Sequence, residues 1–186
     1  MKRLENGKSF PGWLLLVAAV ALLTSLLTSL LTSAAAAGGN PTAAGHANIT
    51  VGDGQTRTFS FTAVQHADGT VTGQAQVNNP SFPIRIHFRI DCLKFDGDSR
   101  IIASGPITQS SDPATIAVGR IAVFAVEDNG EGVNAPPDRI TTIPDYAPPK
   151  SCNEFSFVGA DLRDDTLGAI VRPLRAIEAG QIQVNP

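Results

Sequence analysis

IRIHFRIDCL, residues 84–93, puts Ile84, Ile86, Phe88, Ile90 and Cys92 on one parity and Arg85, His87, Arg89 and Asp91 on the other. Side chains of a β-strand point alternately to opposite faces, so the stretch reads as a strand with one buried face and one wet face. A helix, with its period of 3.6, would scatter the same apolar residues around its circumference. On this reading Cys92 faces the core.

The neighbouring segments follow the same rule. In TRTFSFTAV (56–64), Phe59, Phe61 and Ala63 alternate with Thr58, Ser60 and Thr62. Asp68-Gly69 is a hairpin signal, after which TVTGQAQV (70–77) alternates again with Val71, Gly73, Ala75 and Val77 on one face. SRIIASGPI (99–107) reads as a strand broken at Gly105-Pro106. TIAVGRIAVFAVED (115–128) is apolar on both parities, as expected of a central strand covered on both sides or of one that bends at Gly119. Its glycine and many β-branched residues disfavour a helix. Short strands are expected at Arg139–Ile143, Glu154–Val158 and Gln181–Val184. These amount to about eight strands, an all-β fold that is either an antiparallel, meander-like β-barrel or a two-sheet β-sandwich. Closure of consecutive hairpins into a barrel removes sticky edges and is the preferred expectation.

The amino terminus has a different character. Trp13–Leu23 is apolar all round, and LLTSLLTSLLTS (22–33) repeats one tetrapeptide three times. Lys2, Arg3 and Lys8 precede this stretch, and Ser33–Ala37 offers small residues for cleavage. Residues 1–37 therefore read as a signal peptide with a helical apolar segment, while a length near the roughly 20 residues of a membrane span also fits an uncleaved anchor. Either way the remainder is expected outside the cytoplasm, secreted or at the cell surface. Residues 38–54 have the composition of a linker, and 55–186 read as a single β-domain. Asn48-Ile49-Thr50 is an N-glycosylation sequon.

The whole chain carries a formal charge of −3, and removing the basic leader makes the remainder more acidic. That excludes nucleic acid as an expected partner, and leaves the N-terminal segment, if uncleaved, as the only expected membrane contact. The two cysteines, Cys92 and Cys152, are expected to pair as a disulfide in an oxidising compartment.

FSFTA, the Asp68-Gly69 turn with Gly73-x-Ala75, the strand with Cys92, VFAVEDNGEGVNAPPDRI (123–140), Cys152 and AGQIQV (179–184) together resemble a widespread group of small secreted bacterial proteins. The shared marks are a V-x-D-x-G-E turn and a terminal G-x-(I/V)-Q-V strand. The resemblance implies export and one β-domain. It implies no activity, substrate or cofactor.

Four features could carry chemistry. Asp128, Asn129, Glu131 and Asp138 gather oxygen atoms that Ca²⁺ would accept, although a dedicated site wants about six of them. The alternative is a hairpin turn whose carboxylates bond to backbone amides or meet Arg120 or Arg139. Asp96 and Asp98 form a lesser acidic turn of a common kind. Arg85, His87 and Arg89 make a basic stripe that could grip a carboxylate or an acidic glycan, or simply pair with acids on the next strand. The Pro-rich stretch 128–152 could present Tyr146 and Phe155 to a partner. No nucleophile elbow, P-loop, zinc-protease or C-x-x-C motif occurs. No catalytic residue, metal or cofactor is assigned. The chain reads as an exported, non-catalytic domain that binds an extracellular ligand or envelope component; a small secreted enzyme or a purely structural domain are the alternatives.

Overall fold

The computed structural model describes residues 39–52, 54–80, 84–143, 145–146 and 150–186, without the side chains of 145 and 146. The expected signal helix, with the LLTS repeat, lies outside these residues. The described chain is all-β. Its strands are β1 (Thr42–Thr50), β2 (Thr56–Gln65), β3 (Val71–Asn79), β4 (Ile84–Ile90), β5 (Cys92–Asp96), β6 (Arg100–Ser110) and β7 (Ile121–Glu127). They continue with β8 (Arg139–Thr141), β9 (Asp145–Tyr146), β10 (Phe155–Val158), β11 (Asp161–Asp164), β12 (Ala169–Ala176) and β13 (Ala179–Asn185).

All pairings are antiparallel, in the order β10-β11-β12-β8-β7-β6-β4-β3-β2-β1-β13, with β5 on β6 and β9 on β7. The expected meander is evident in the run β1 to β4. The expected closure is not: the ladder ends at β10 and β13, which do not pair. Two carboxylates take the place of a closing strand pair. Asp138 Oδ2 accepts from the Ile182 N–H at 2.8 Å, and Asp128 Oδ2 accepts from the Val184 N–H at 2.9 Å. Both amides point away from β1, so side chains saturate an edge that backbone would occupy in a barrel.

Residues 42–50, expected as linker, form β1 and sit between β2 and β13. Ala43, Ala47 and Ile49 alternate into the core. The small residues that suggest a linker are there because space is short: a Cβ on Gly45 would lie 2.8 Å from the Phe61 ring. The compact unit therefore begins near Asn40 rather than at residue 55.

The inward faces of β1–β4, β6, β7 and β13 enclose a core centred on Phe59, Phe61, Phe88 and Phe124. Phe124 stacks edge-on against the other three, with ring centroids 4.9–5.9 Å apart, the arrangement that aromatic quadrupoles favour. β7 starts only at Ile121, after the turn at Gly119, and is buried on both faces: it is the covered central strand, shorter than the run 115–128, and not a strand that bends at Gly119. Its Val123 and Ala125 enter a second, smaller core with Ile102, Cys152, Phe155 and Leu162, beneath the back layer β10–β12.

A bulge between β4 and β5 redirects side chains. Phe88 pairs with Ile107 while Cys92 pairs with Ser104, so the β4–β5 strand carries one extra residue near Asp91. Parity flips there. Ile90 and Leu93 both enter the main core, whereas Cys92 turns to the second core, against the expectation that it shares a face with Ile90. Gly105-Pro106 does not break β6; a Cβ at Gly105 would meet the Arg89 carbonyl oxygen at 1.8 Å, so glycine lets the two strands cross closely. Cys92 and Cys152 form the expected disulfide, with Cα atoms 5.7 Å apart.

Candidate functional site: a polar groove on the outer face

The alternation that fills the main core leaves the opposite face of β13, β1, β2, β3, β4 and β6 polar. Register sets its side chains in rungs. One rung runs Gln183, Ala44, Thr62, Gln74, Arg89. The next runs Gln181, His46, Ser60, Gln76, His87, Gln109. A third joins Asn48, Thr58, Asn78 and Arg85. Ala44 and the β2, β3, β4 and β6 members of the first two rungs line an open groove of about 660 Å³. Ala44, Gly45 and Gly73 keep its floor low. Phe61 and Phe88 lie beneath that floor, each at most 4% exposed, so no aromatic face is offered for stacking.

At the β4 side a second bulge, where His87 pairs with Gln109 and Phe88 with Ile107, leaves Thr108 as an extra residue on β6. Its hydroxyl donates to the His87 carbonyl at 3.2 Å. Bulges commonly re-aim side chains in this way at functional edges. The basic stripe Arg85, His87, Arg89 is where the sequence places it, yet among the described residues its register partners on the neighbouring strands are not acidic. Asn78, Gln76 and Gln74 face it from β3, and Gln109 faces His87 from β6. Arg89 instead pairs with Asp91 of its own strand at 3.1 Å, with 62% of the arginine side chain exposed. The groove is thus rich in amides and hydroxyls and is basic along one bank. Sequence reasoning missed Gln74, Gln76 and Gln109; the signal was their outward parity beside a basic strand.

The acidic turn has another role. Asp128 Oδ1 accepts from Gly130 N–H and Asp138 Oδ1 from Asn129 N–H, at 2.8 and 2.9 Å, while the second oxygen of each holds β13. Glu131 Oε1 accepts from the side-chain amides of Gln181 and Gln183. The carboxylates that could have faced a cation face amide hydrogens instead, and the V-x-D-x-G-E turn and the Q-I-Q-V strand are two halves of one clasp. Asp96 pairs with Arg100 at 2.6 Å across its turn. Phe155, proposed as a surface anchor, is fully buried in the second core, which corrects that expectation. Tyr146 pairs through its backbone with Ile121, and its side chain lies outside the described ones. Asn48 of the sequon lies mid-strand and half-buried.

A second polar cluster is buried under the back layer. Asp164 is 0% exposed and bonds to the Lys150 ammonium, whose side chain is 15% exposed. Asp164 Oδ1 also accepts from Thr166 Oγ1 (2.7 Å), Thr166 N–H (3.0 Å) and Leu167 N–H (3.1 Å). Burial pushes the Asp164 carboxyl up, but the Lys150 and Thr166 hydrogen bonds outweigh it and hold the group below its ordinary 3.8. Among the described residues no trio of His, Cys, Asp or Glu is arranged to hold a metal.

Set against models of protein families, curated proteins and solved structures, the chain matches none. What the site can do is read from its own geometry.

Proposed function

We propose that this is an exported, non-catalytic binding domain whose groove takes an acidic glycan. The observation that carries this reading is the basic bank: Arg85, His87 and Arg89 face amides on the adjoining strand, and Arg89, paired with Asp91 of its own strand, keeps 62% of its side chain exposed. Amides and hydroxyls both donate and accept, which suits a polyhydroxylated chain, and guanidinium groups suit its carboxylates. A buried aromatic floor means that recognition runs through hydrogen bonds and charge. The leader supports export, as does the resemblance to small secreted bacterial proteins; the disulfide is compatible with it.

The two histidines of the outer face do not form an acid–base pair. His46 on β1 and His87 on β4 are three strand spacings apart, roughly 14 Å at about 4.8 Å per strand, too far to share a proton. Titration of uronate oligosaccharides into the exported protein tests the proposal. Binding should weaken with salt, and Arg89→Ala should cost about 1.5–3 kcal/mol, as for a hydrogen bond to a charged group. Equal affinity for neutral oligosaccharides, or an R89A variant that binds as wild type, would overturn it.

A further inference from the structure

We propose that Lys150 and Asp164 condense to an amide, so that the back layer carries an internal isopeptide cross-link close to the Cys92–Cys152 disulfide. The inference is independent of the groove. It begins from a buried ion pair in the smaller core: Asp164 is fully enclosed, and the Phe155 ring lies 5.8 Å from the lysine Nζ. Two charges held away from water gain stability if both can be removed, and amide formation removes both.

The surrounding groups are those that acyl transfer requires. Lys150 Nζ is held against the Asp164 carboxyl, which turns a bimolecular encounter into a local event. Oδ1, the oxygen that stays, receives two backbone N–H groups and the Thr166 hydroxyl, a preorganised cradle for the negative charge of a tetrahedral intermediate. Thr166 Oγ1 accepts from Nζ at 2.7 Å while donating to Oδ1, so it links nucleophile and electrophile by a single hydroxyl. The disulfide at Cys152 fixes the chain two residues beyond the lysine.

The atoms balance within the pair. The ammonium passes one proton directly to Oδ2, to which it is already hydrogen-bonded, and the freed Nζ lone pair attacks Cγ while negative charge gathers on Oδ1 in its cradle. The C–N bond forms, a second proton moves from nitrogen to Oδ2, and the Cγ–Oδ2 bond breaks to release one water. Nothing is oxidised or reduced, and no co-reactant enters.

Intact mass spectrometry of the reduced, denatured protein tests this. The wild type should be lighter than its sequence by one water, and Lys150→Arg, which keeps the cation but cannot be acylated in the same way, should regain it. Asp164→Ala should regain it too. Thr166→Val should leave most molecules unlinked, since removing one donor from an oxyanion cradle typically costs about 10²–10³-fold in rate. A wild type of full mass overturns the proposal. So does a water deficit that persists in K150R, which would place the loss elsewhere, for example in a succinimide at Asp68-Gly69.

Discussion

The main sheet and the back layer solve the same problem by different means. The main core gathers Phe59, Phe61, Phe88 and Phe124. The back core has Phe155 and Leu162 against Ile102, Val123, Ala125 and Cys152. To that small apolar patch it adds a disulfide, the Lys150–Asp164 pair, a Lys94 ammonium donating to the Phe155 carbonyl at 2.6 Å, and Arg100 over the Phe157 ring at 4.6 Å. Burial scales with area, so a large core sustains itself, whereas a thin layer needs directional or covalent fasteners.

The comparison breaks most readily at Phe124. Phe124→Ala removes the ring that touches the other three and should cost about 3–5 kcal/mol. Thermal melting should show the whole domain destabilised, groove included. Removing the disulfide by paired Cys92→Ala and Cys152→Ala should cost up to about 4 kcal/mol in the chain-entropy picture for a separation of 60 residues. Its signature is local: hydrogen exchange should quicken in β10–β12 while β2 and β3 stay protected. Uniform loss of protection would mean that the two layers form one cooperative unit.

The clasp sharpens the contrast at the open edge. Asp138→Ala leaves the Ile182 and Asn129 amides without their acceptor and should cost about 1–3 kcal/mol. Chelators should not mimic it, because both Asp138 oxygens are already engaged by backbone amide hydrogens. A melting temperature lowered by chelator would contradict the clasp. The smallest effect is expected at the β2–β3 hairpin. The Thr70 hydroxyl, and then the Thr70 N–H, bond to Asp68 and hold its carboxyl below its ordinary 3.8. A depressed folded value means that the contribution is complete above about 3.8 and fades as pH falls through the lower folded value. Following the Thr70 amide signal through an acid titration checks this, and Asp68→Asn should abolish the inflection.

Much of the strand content was legible because burial is a local alternation. Phe59 and Phe61, and Ile86 and Phe88, announce themselves within a few residues, whereas the run 115–128 gave its strand but not its start at Ile121. β1 was not legible, since Ala43, Gly45 and Ala47 carry too little apolar weight to show a pattern. β12 was hidden for the opposite reason: Pro173 interrupts it and, of its residues, Leu174 alone is buried. The basic bank of the groove could be read from β4, but the amides that complete it come from β3 and β6, whose register no single strand encodes.

What the sequence determined by itself is therefore the all-β class, the inward set of the central strands and the pair of cysteines. These follow from period-2 patterning and composition, which act between near neighbours. Tertiary structure alone decided that Asp91 flips Cys92 to the second core, that Asp128 and Asp138 hold the edge of β13, and that Lys150 meets Asp164. Each depends on which distant backbone groups come within hydrogen-bonding reach. That is a property of register and bulges, and it appears only once the sheet has curled on itself.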